Sequence, residues 1–120
     1  MTKVVDILGT KYKVSTGIPV SKDRELIGRF GYCSFCDHRI VVADLATVDG
    51  WMDEPAAVKS AQEKATLRHE VIHAFLSESG LRGSSSGTDV WALNEEMVDW
   101  FALQLPKMMK VFEQLGCAGV

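Results

Sequence analysis

Hydrophobic residues follow a short-range pattern in the first third of the chain. Residues 3–8 and 11–16 are rich in β-branched and aromatic side chains and flank Gly9, which predicts a β-hairpin. Residues 32–33 and 40–43 have the same character and predict a second hairpin. This part of the chain is therefore expected to form short antiparallel strands.

The pattern becomes helical from residue 54 onward. Good helix formers continue without interruption over residues 54–79, and Gly80 suits the position just beyond a helix C-terminus. At the other end, Asp53 is a suitable N-cap and Pro55 fits the first turn. One long helix is predicted over this range.

A second helix is predicted over residues 91–115. Pro106 is expected to kink it, because proline has no backbone N–H and its ring clashes with the preceding turn. No internal repeat or domain boundary is evident. The sequence predicts a single α+β domain over residues 1–120, with small antiparallel strands in residues 1–45 packed on the two helices.

Composition narrows the classes of function. The chain has 47% hydrophobic and 24% charged residues, which is ordinary for a globular domain. The net charge is −3 and there is no basic run, so nothing indicates nucleic-acid binding. No apolar stretch is long enough for a signal peptide or a membrane span, and three cysteines do not suggest a disulfide framework. A cytoplasmic protein is expected, and the oligomeric state is left open.

The predicted first helix contains a His-Glu-x-x-His motif. His69 and His73 are four residues apart, so in a helix their rings leave the same face one turn apart. Two imidazoles in that geometry can chelate one metal ion, and Glu70 is placed to hold a water on it. The alternative is a buried helix whose histidines bond to carbonyl groups.

The predicted second helix offers the third ligand that a zinc site requires. Glu95 and Asp99 are also four residues apart and share one face. This spacing suits a metal-binding carboxylate at Glu95 and an Asp99 carboxylate that accepts the far N–H of one ligating imidazole. The alternative is a solvated acidic helix face.

The two motifs together resemble those of the gluzincin metallopeptidases, of which thermolysin is the best known. In that group the second-motif Glu is the third zinc ligand and the Asp supports a ligating His. The short layout is more similar to the compact ImmA/IrrE-like metallopeptidases of phages and mobile elements, although Asp99 stands where that family usually has Asn. The resemblance implies a minimal zincin-like fold with one zinc ion per chain, held by His69, His73 and Glu95.

The expected function is a zinc metallopeptidase that acts on a peptide or protein substrate. Glu70 would be the general base for a metal-activated water. His38 and Tyr32 are candidates for stabilising the oxyanion or binding substrate, and no spacing argument selects one. An exposed edge strand at residues 40–43 is expected to align an extended peptide. The alternative function is a non-catalytic, metal-containing binding or regulatory module.

A Cys-x-x-Cys motif lies at the predicted turn of the second hairpin. Cys33, Cys36 and the nearby His38 give only three ligands, whereas a closed structural zinc site needs four. Cys117 would complete such a site only if the tail folded back. A redox function is not supported, because no strand–motif–helix pattern surrounds the pair. We interpret both cysteines as reduced structural residues.

Overall fold

The chain folds as an α+β domain in which a four-stranded sheet packs against two helices, as the sequence predicts. The structure is a computed structural model that describes residues 1–80, 94–115 and 118–119. Its elements are β1 (Thr2–Ile7), β2 (Thr10–Ile18), β3 (Gly31–Ser34), β4 (Arg39–Ala43), α1 (Ala56–Glu78) and α2 (Glu95–Gln114).

Both predicted hairpins are confirmed. In the first, Ile7 pairs with Thr10, so the loop has only two residues, Leu8 and Gly9, and both have positive φ. That conformation is typical of the tight turns whose twist matches paired strands. The Gly9 N–H also donates to Asp6 Oδ1 at 2.8 Å. The second hairpin pairs β3 with β4.

The sheet order is β1-β2-β4-β3, and β2 pairs with β4 in parallel. The sheet is therefore mixed, whereas the sequence predicted only antiparallel pairing. Residues 19–38 form the long crossover that parallel pairing requires. The predicted edge strand at residues 40–43 is wrong: β4 is central and buried on both faces. The edge strand on this side of the sheet is β3.

The two faces of the sheet bury separate apolar clusters. Ile7, Tyr12, Val14 and Ile40 pack on Ala74 of α1. The opposite face contributes Tyr32, Val41 and Ala43, which pack with Leu26 from the crossover. Neighbouring residues of a strand point to opposite faces, so β3 and β4 serve both clusters. The first cluster fixes the side of α1 that faces the sheet.

The sequence predicted the C-terminus of α1 correctly and its N-terminus incorrectly. Gly80 has a φ of 93°, which confirms it as the left-handed residue after the helix. Asp53 is not the N-cap: Pro55 takes that position without a side-chain cap, and its carbonyl accepts the Val58 and Lys59 N–H groups. The φ of Pro55 is helical but its ψ of 147° is extended, so the helix begins at Ala56 and Pro55 does not lie in the first turn as predicted.

The C-terminal end of α1 is tied to β2 by Glu78. Its carboxylate accepts hydrogen bonds from the Tyr12 hydroxyl at 2.8 Å and the Thr10 hydroxyl at 2.9 Å. Both bonds lower the pKa of Glu78, and the bond from Tyr12 has the larger effect. These contacts hold α1 in register along the sheet.

Helix α2 begins at Glu95, and Asn94 caps it by accepting the Met97 N–H at 2.9 Å. The predicted start at Trp91 lies outside the described residues. The helix continues through Pro106 to Gln114 as one element. No described helix has the combination of length and apolar character needed to cross a membrane.

Arg68 compensates for the proline inside α2. Because Pro106 has no N–H, the carbonyl of Ala102, four residues earlier, loses its helical partner. The Arg68 Nε–H donates to that carbonyl oxygen at 2.7 Å. Ala102 is buried, so an unpaired oxygen there would be costly. One side chain thus joins α1 to α2 immediately beside the His-Glu-x-x-His motif.

Replacing Arg68 with Met should lower the free energy of unfolding by about 1–3 kcal/mol, the usual cost of losing a hydrogen bond to a charged group. In a Pro106→Ala background the residue at 106 supplies the missing N–H, so the same replacement should cost clearly less. Urea denaturation of the two single variants and the double variant measures this coupling. Equal costs in both backgrounds would show that Arg68 acts by other contacts.

Candidate metal centre

The histidines of α1 point to one place. Their helical spacing puts His69 and His73 on the same face, and their Nε2 atoms are 3.1 Å apart. His73 is buried and His69 is half-buried. Two ring nitrogens so close together and partly removed from water favour a shared cation between them.

Glu95 reaches the same point from α2. Its carboxylate oxygens are 3.0 Å from His69 Nε2 and 2.9 Å from His73 Nε2. The side chain is 66% exposed, so solvation alone would leave it free to turn outward. Instead the carboxylate bridges both imidazoles. The structure therefore brings together the three residues that the sequence nominated as ligands.

Asp99 orients one of these imidazoles. Its Oδ1 accepts the Nδ1–H of His69 at 2.6 Å. A neutral imidazole that donates from Nδ1 carries its lone pair on Nε2, the atom that faces Glu95 and His73. This carboxylate–histidine pairing fixes the tautomer and raises the basicity of the ligating nitrogen.

The spacing of the three groups fits a tetrahedral zinc ion. Ligands at the usual 2.0–2.1 Å from zinc lie about 3.3–3.4 Å from one another. The observed separations among the two nitrogens and the Glu95 carboxylate are 2.9–3.1 Å. Movements of roughly a few tenths of an ångström would admit the ion, with a fourth position left for water. The donor set of two imidazoles and one carboxylate suits zinc.

Glu70 lies beside this group without sharing its face. It follows His69 directly, so its side chain leaves α1 about 100° around the helix. Its carboxylate still lies within 4.8 Å of the ligand atoms of both histidines. Glu70 is only 6% exposed, and this burial raises its pKa despite the opposing charges of the histidines. A desolvated carboxylate next to the ligand set is placed to accept a proton.

Glu96 faces away from the histidines. It lines a depression on α2 with Asn94, Met97 and Trp100, away from the histidines. Adjacent residues on a helix differ by about 100°, so only one of the two glutamates can face α1.

The side chains of His38 and Tyr32 make their contacts away from the ligand set. His38 is exposed at the hairpin turn and its ring lies 5.2 Å from that of Tyr12, on the β2 side. The Tyr32 hydroxyl donates to Asp23 Oδ2 at 2.5 Å, within the cluster on the far face of the sheet. Burial and this hydrogen bond raise the pKa of Tyr32 to about 12. Neither side chain faces the histidines, because His38 lies beside Tyr12 and Tyr32 is bonded to Asp23. The sequence pattern did not predict these contacts.

Two clefts open on either side of the ligand set. The Leu103 cleft, of about 360 Å³, is bounded by Phe30, Ala65, Ala102 and Leu103, with Gln62, Thr66 and Asp99 also on its wall. The Arg29 cleft, of about 430 Å³, is bounded by Arg29, Cys33, Phe35, His73 and Glu95, with Tyr32 also on its wall. Both clefts share Gly31, His69 and Glu70. A molecule that crosses from one cleft to the other would pass along these three shared residues.

Gly31 lets β3 approach α1 this closely. A Cβ at residue 31 would lie 2.8 Å from both Thr66 Cγ2 and the Val41 carbonyl oxygen. Any larger residue would push the strand away from the helix. Neither Gly31 nor Arg29 is predicted as a site residue from the sequence. One feature of the sequence could have indicated that β3 is the edge strand. The continuous apolar run of β4 is typical of a central strand, which leaves β3 at the edge.

Neither cysteine of the Cys-x-x-Cys motif belongs to the ligand set, although Cys33 borders the Arg29 cleft. Cys33 is half-buried beside the α1-facing cluster, and Cys36 is exposed in the hairpin turn. Replacing both with Ser is expected to leave the number of zinc ions per chain unchanged, which elemental analysis would measure. A drop of one zinc ion, with the His69 site still loaded, would instead establish a second site that includes His38.

Comparison of the chain with protein-family models, with curated proteins and with solved structures produced no match. A function for this chain must therefore be inferred from the geometry of the site itself.

Proposed function

We propose that the protein is a zinc-dependent peptidase. The observation that carries this proposal is the convergence of His69, His73 and Glu95 within 3.1 Å of one another, with the buried Glu70 carboxylate beside them. Such a site combines a metal position with an adjacent proton acceptor. Hydrolysis of an amide bond needs both.

The residues of the chain divide the work between them. When bound, zinc would polarise the scissile carbonyl and make a water more acidic. Glu70 accepts the proton of the attacking water and returns it to the leaving amine. The raised pKa of Glu70 suits both steps. Its carboxylate is a stronger base than an ordinary one toward the water, and the resulting carboxylic acid can protonate the leaving amine. Asp99 holds the His69 ring in the required tautomer.

Glu70 favours an enzyme over a binding module. Holding a metal requires the two histidines and Glu95, and burying a further carboxylate is unfavourable in the absence of a compensating role. The edge strand β3 adds to this argument. It pairs with β4 on one side, and Gly31 of the strand lines both clefts. An extended peptide can add to such an edge beside the metal position.

The test begins with protein purified without added metal. We expect one zinc ion per chain, and removal of zinc by a chelator should abolish cleavage of a peptide library, with activity restored by added zinc. Zinc that is retained without any cleavage of peptides would favour the non-catalytic binding module. Absence of zinc binding would contradict both functions.

A further inference from the structure

The two clefts differ in charge. Among the described residues that line either cleft, Arg29 is the one arginine or lysine, and the other basic side chains are the two histidines of the ligand set. It is exposed, and within the described part of the chain no carboxylate lies within ion-pair distance of it. The described wall of the Leu103 cleft has no arginine or lysine and presents the apolar surfaces of Phe30, Ala102 and Leu103.

Arg29 forms no ion pair with the carboxylates of the site. A divalent ion would face three carboxylates, Glu70, Glu95 and Asp99, so the guanidinium offsets the remaining negative charge without contacting any of them as an ion pair. Its N–H donors are therefore open to a carboxylate that enters the cleft. Arg presents a planar set of N–H donors that fits a carboxylate in a bidentate manner.

We propose, on the basis of the proposed peptidase function, that Arg29 determines specificity by binding a carboxylate of the substrate. The substrate is an extended peptide along β3, with an anionic group on the Arg29 side of the scissile bond and an apolar side chain in the Leu103 cleft. The carboxylate comes either from an acidic side chain or from the C-terminus of the peptide. Both sources present the same group to the guanidinium.

The position of Gly31 supports a path through both clefts. Gly31 lines each of them, so the edge strand β3 borders both clefts. Successive residues of an extended chain project to alternate sides, so a peptide paired with β3 can place one side chain in the Leu103 cleft and bring an anionic group toward Arg29.

The test uses matched peptides and two readouts. Zinc-loaded wild-type protein is offered peptides that differ only by Glu or Gln near the scissile bond, and by a free or amidated C-terminus. Cleavage gives the preference, and binding to the Glu70→Gln variant by fluorescence anisotropy gives the affinity without turnover. We expect a preference for one anionic form, which identifies the source of the carboxylate.

Arg29→Gln should weaken binding of the preferred peptide by about 10- to 100-fold, the usual effect of a charge-assisted hydrogen bond, and leave the neutral peptide unchanged. Arg29→Lys should recover part of the loss, since the charge remains without the bidentate geometry. Arg24→Gln is the matched control, because Arg24 is also an exposed arginine but lines neither cleft. It should have no effect.

The outcomes separate this inference from the proposed function. Cleavage without any preference for a carboxylate would overturn the role of Arg29 and leave the peptidase intact. An equal loss of kcat for all peptides in Arg29→Gln would also overturn it, because Arg29 would then act on the common reacting carbonyl. A protein that neither binds nor cleaves any peptide would contradict both.

Discussion

Replacing Glu70 with Gln is expected to remove nearly all peptidase turnover and to leave the zinc ion and the fold in place. Gln keeps the shape of the side chain but cannot take a proton from water. General-base assistance is typically worth about 10²–10⁴-fold in rate, and a loss of that size in kcat is expected. Single-turnover cleavage assays with parallel zinc analysis measure both properties.

The fold should tolerate this change well. Burial raises the pKa of Glu70, so the unfolded chain loses this proton at lower pH than the folded chain does. Stability of the metal-free protein therefore falls as pH rises through that interval, because the folded chain must then either keep its proton or bury an ionised carboxylate. A neutral Gln removes this penalty, so the variant should unfold at a temperature equal to or above that of the wild type.

His69→Ala is the informative comparison, since it should lose zinc and turnover together. If Glu70→Gln keeps the biological activity and His69→Ala abolishes it, the metal has a structural role. The peptidase proposal would then be wrong and the binding module would be the better interpretation.

Glu95→Gln is expected to cause the largest loss of zinc affinity among the glutamates of α2. Loss of a group that only supports a ligand costs about 10- to 100-fold in affinity, and loss of the ligand charge itself should exceed that. Glu96→Gln is a matched control one residue away, on a face that looks away from the histidines. Competition with a chromogenic chelator measures both dissociation constants.

The reverse result would reassign the ligand. A large loss for Glu96→Gln with none for Glu95→Gln would require α2 to rotate by about 100° relative to the described structure. Equal small losses would indicate that the two histidines, with Glu70, form the metal site without α2.

The helices and hairpins were predictable because their signals are local. Caps, turn residues and helical spacing act over a few positions, and His69 and His73 share a face whatever surrounds α1. The N-terminus of α1 shows the limit of such rules. Asp53 was predicted as the N-cap and Pro55 as a residue of the first turn, whereas Pro55 is the N-cap. The prediction of α1 itself did not depend on which residue is the N-cap.

The arrangement of the strands was less predictable because pairing is decided by distant parts of the chain. β2 meets β4 only after a crossover of residues 19–38, and nothing in the turns specifies that order. The position of Arg29 follows from this arrangement, since it precedes the edge strand that lies along α1. Neither its spacing nor its neighbours distinguish it from other surface arginines in the sequence.

The hydrogen bond from Arg68 to Ala102 has a consequence for how this sequence can evolve. Loss of Arg68 while Pro106 is present leaves the buried Ala102 carbonyl without a hydrogen-bond donor. If Pro106 is replaced first, the new residue donates its N–H to that carbonyl and Arg68 becomes dispensable. The two positions can therefore change readily in one order only. A descendant without Arg68 should already carry another residue at position 106, and the helix that bears Glu95 and Asp99 would have kept its place at every step.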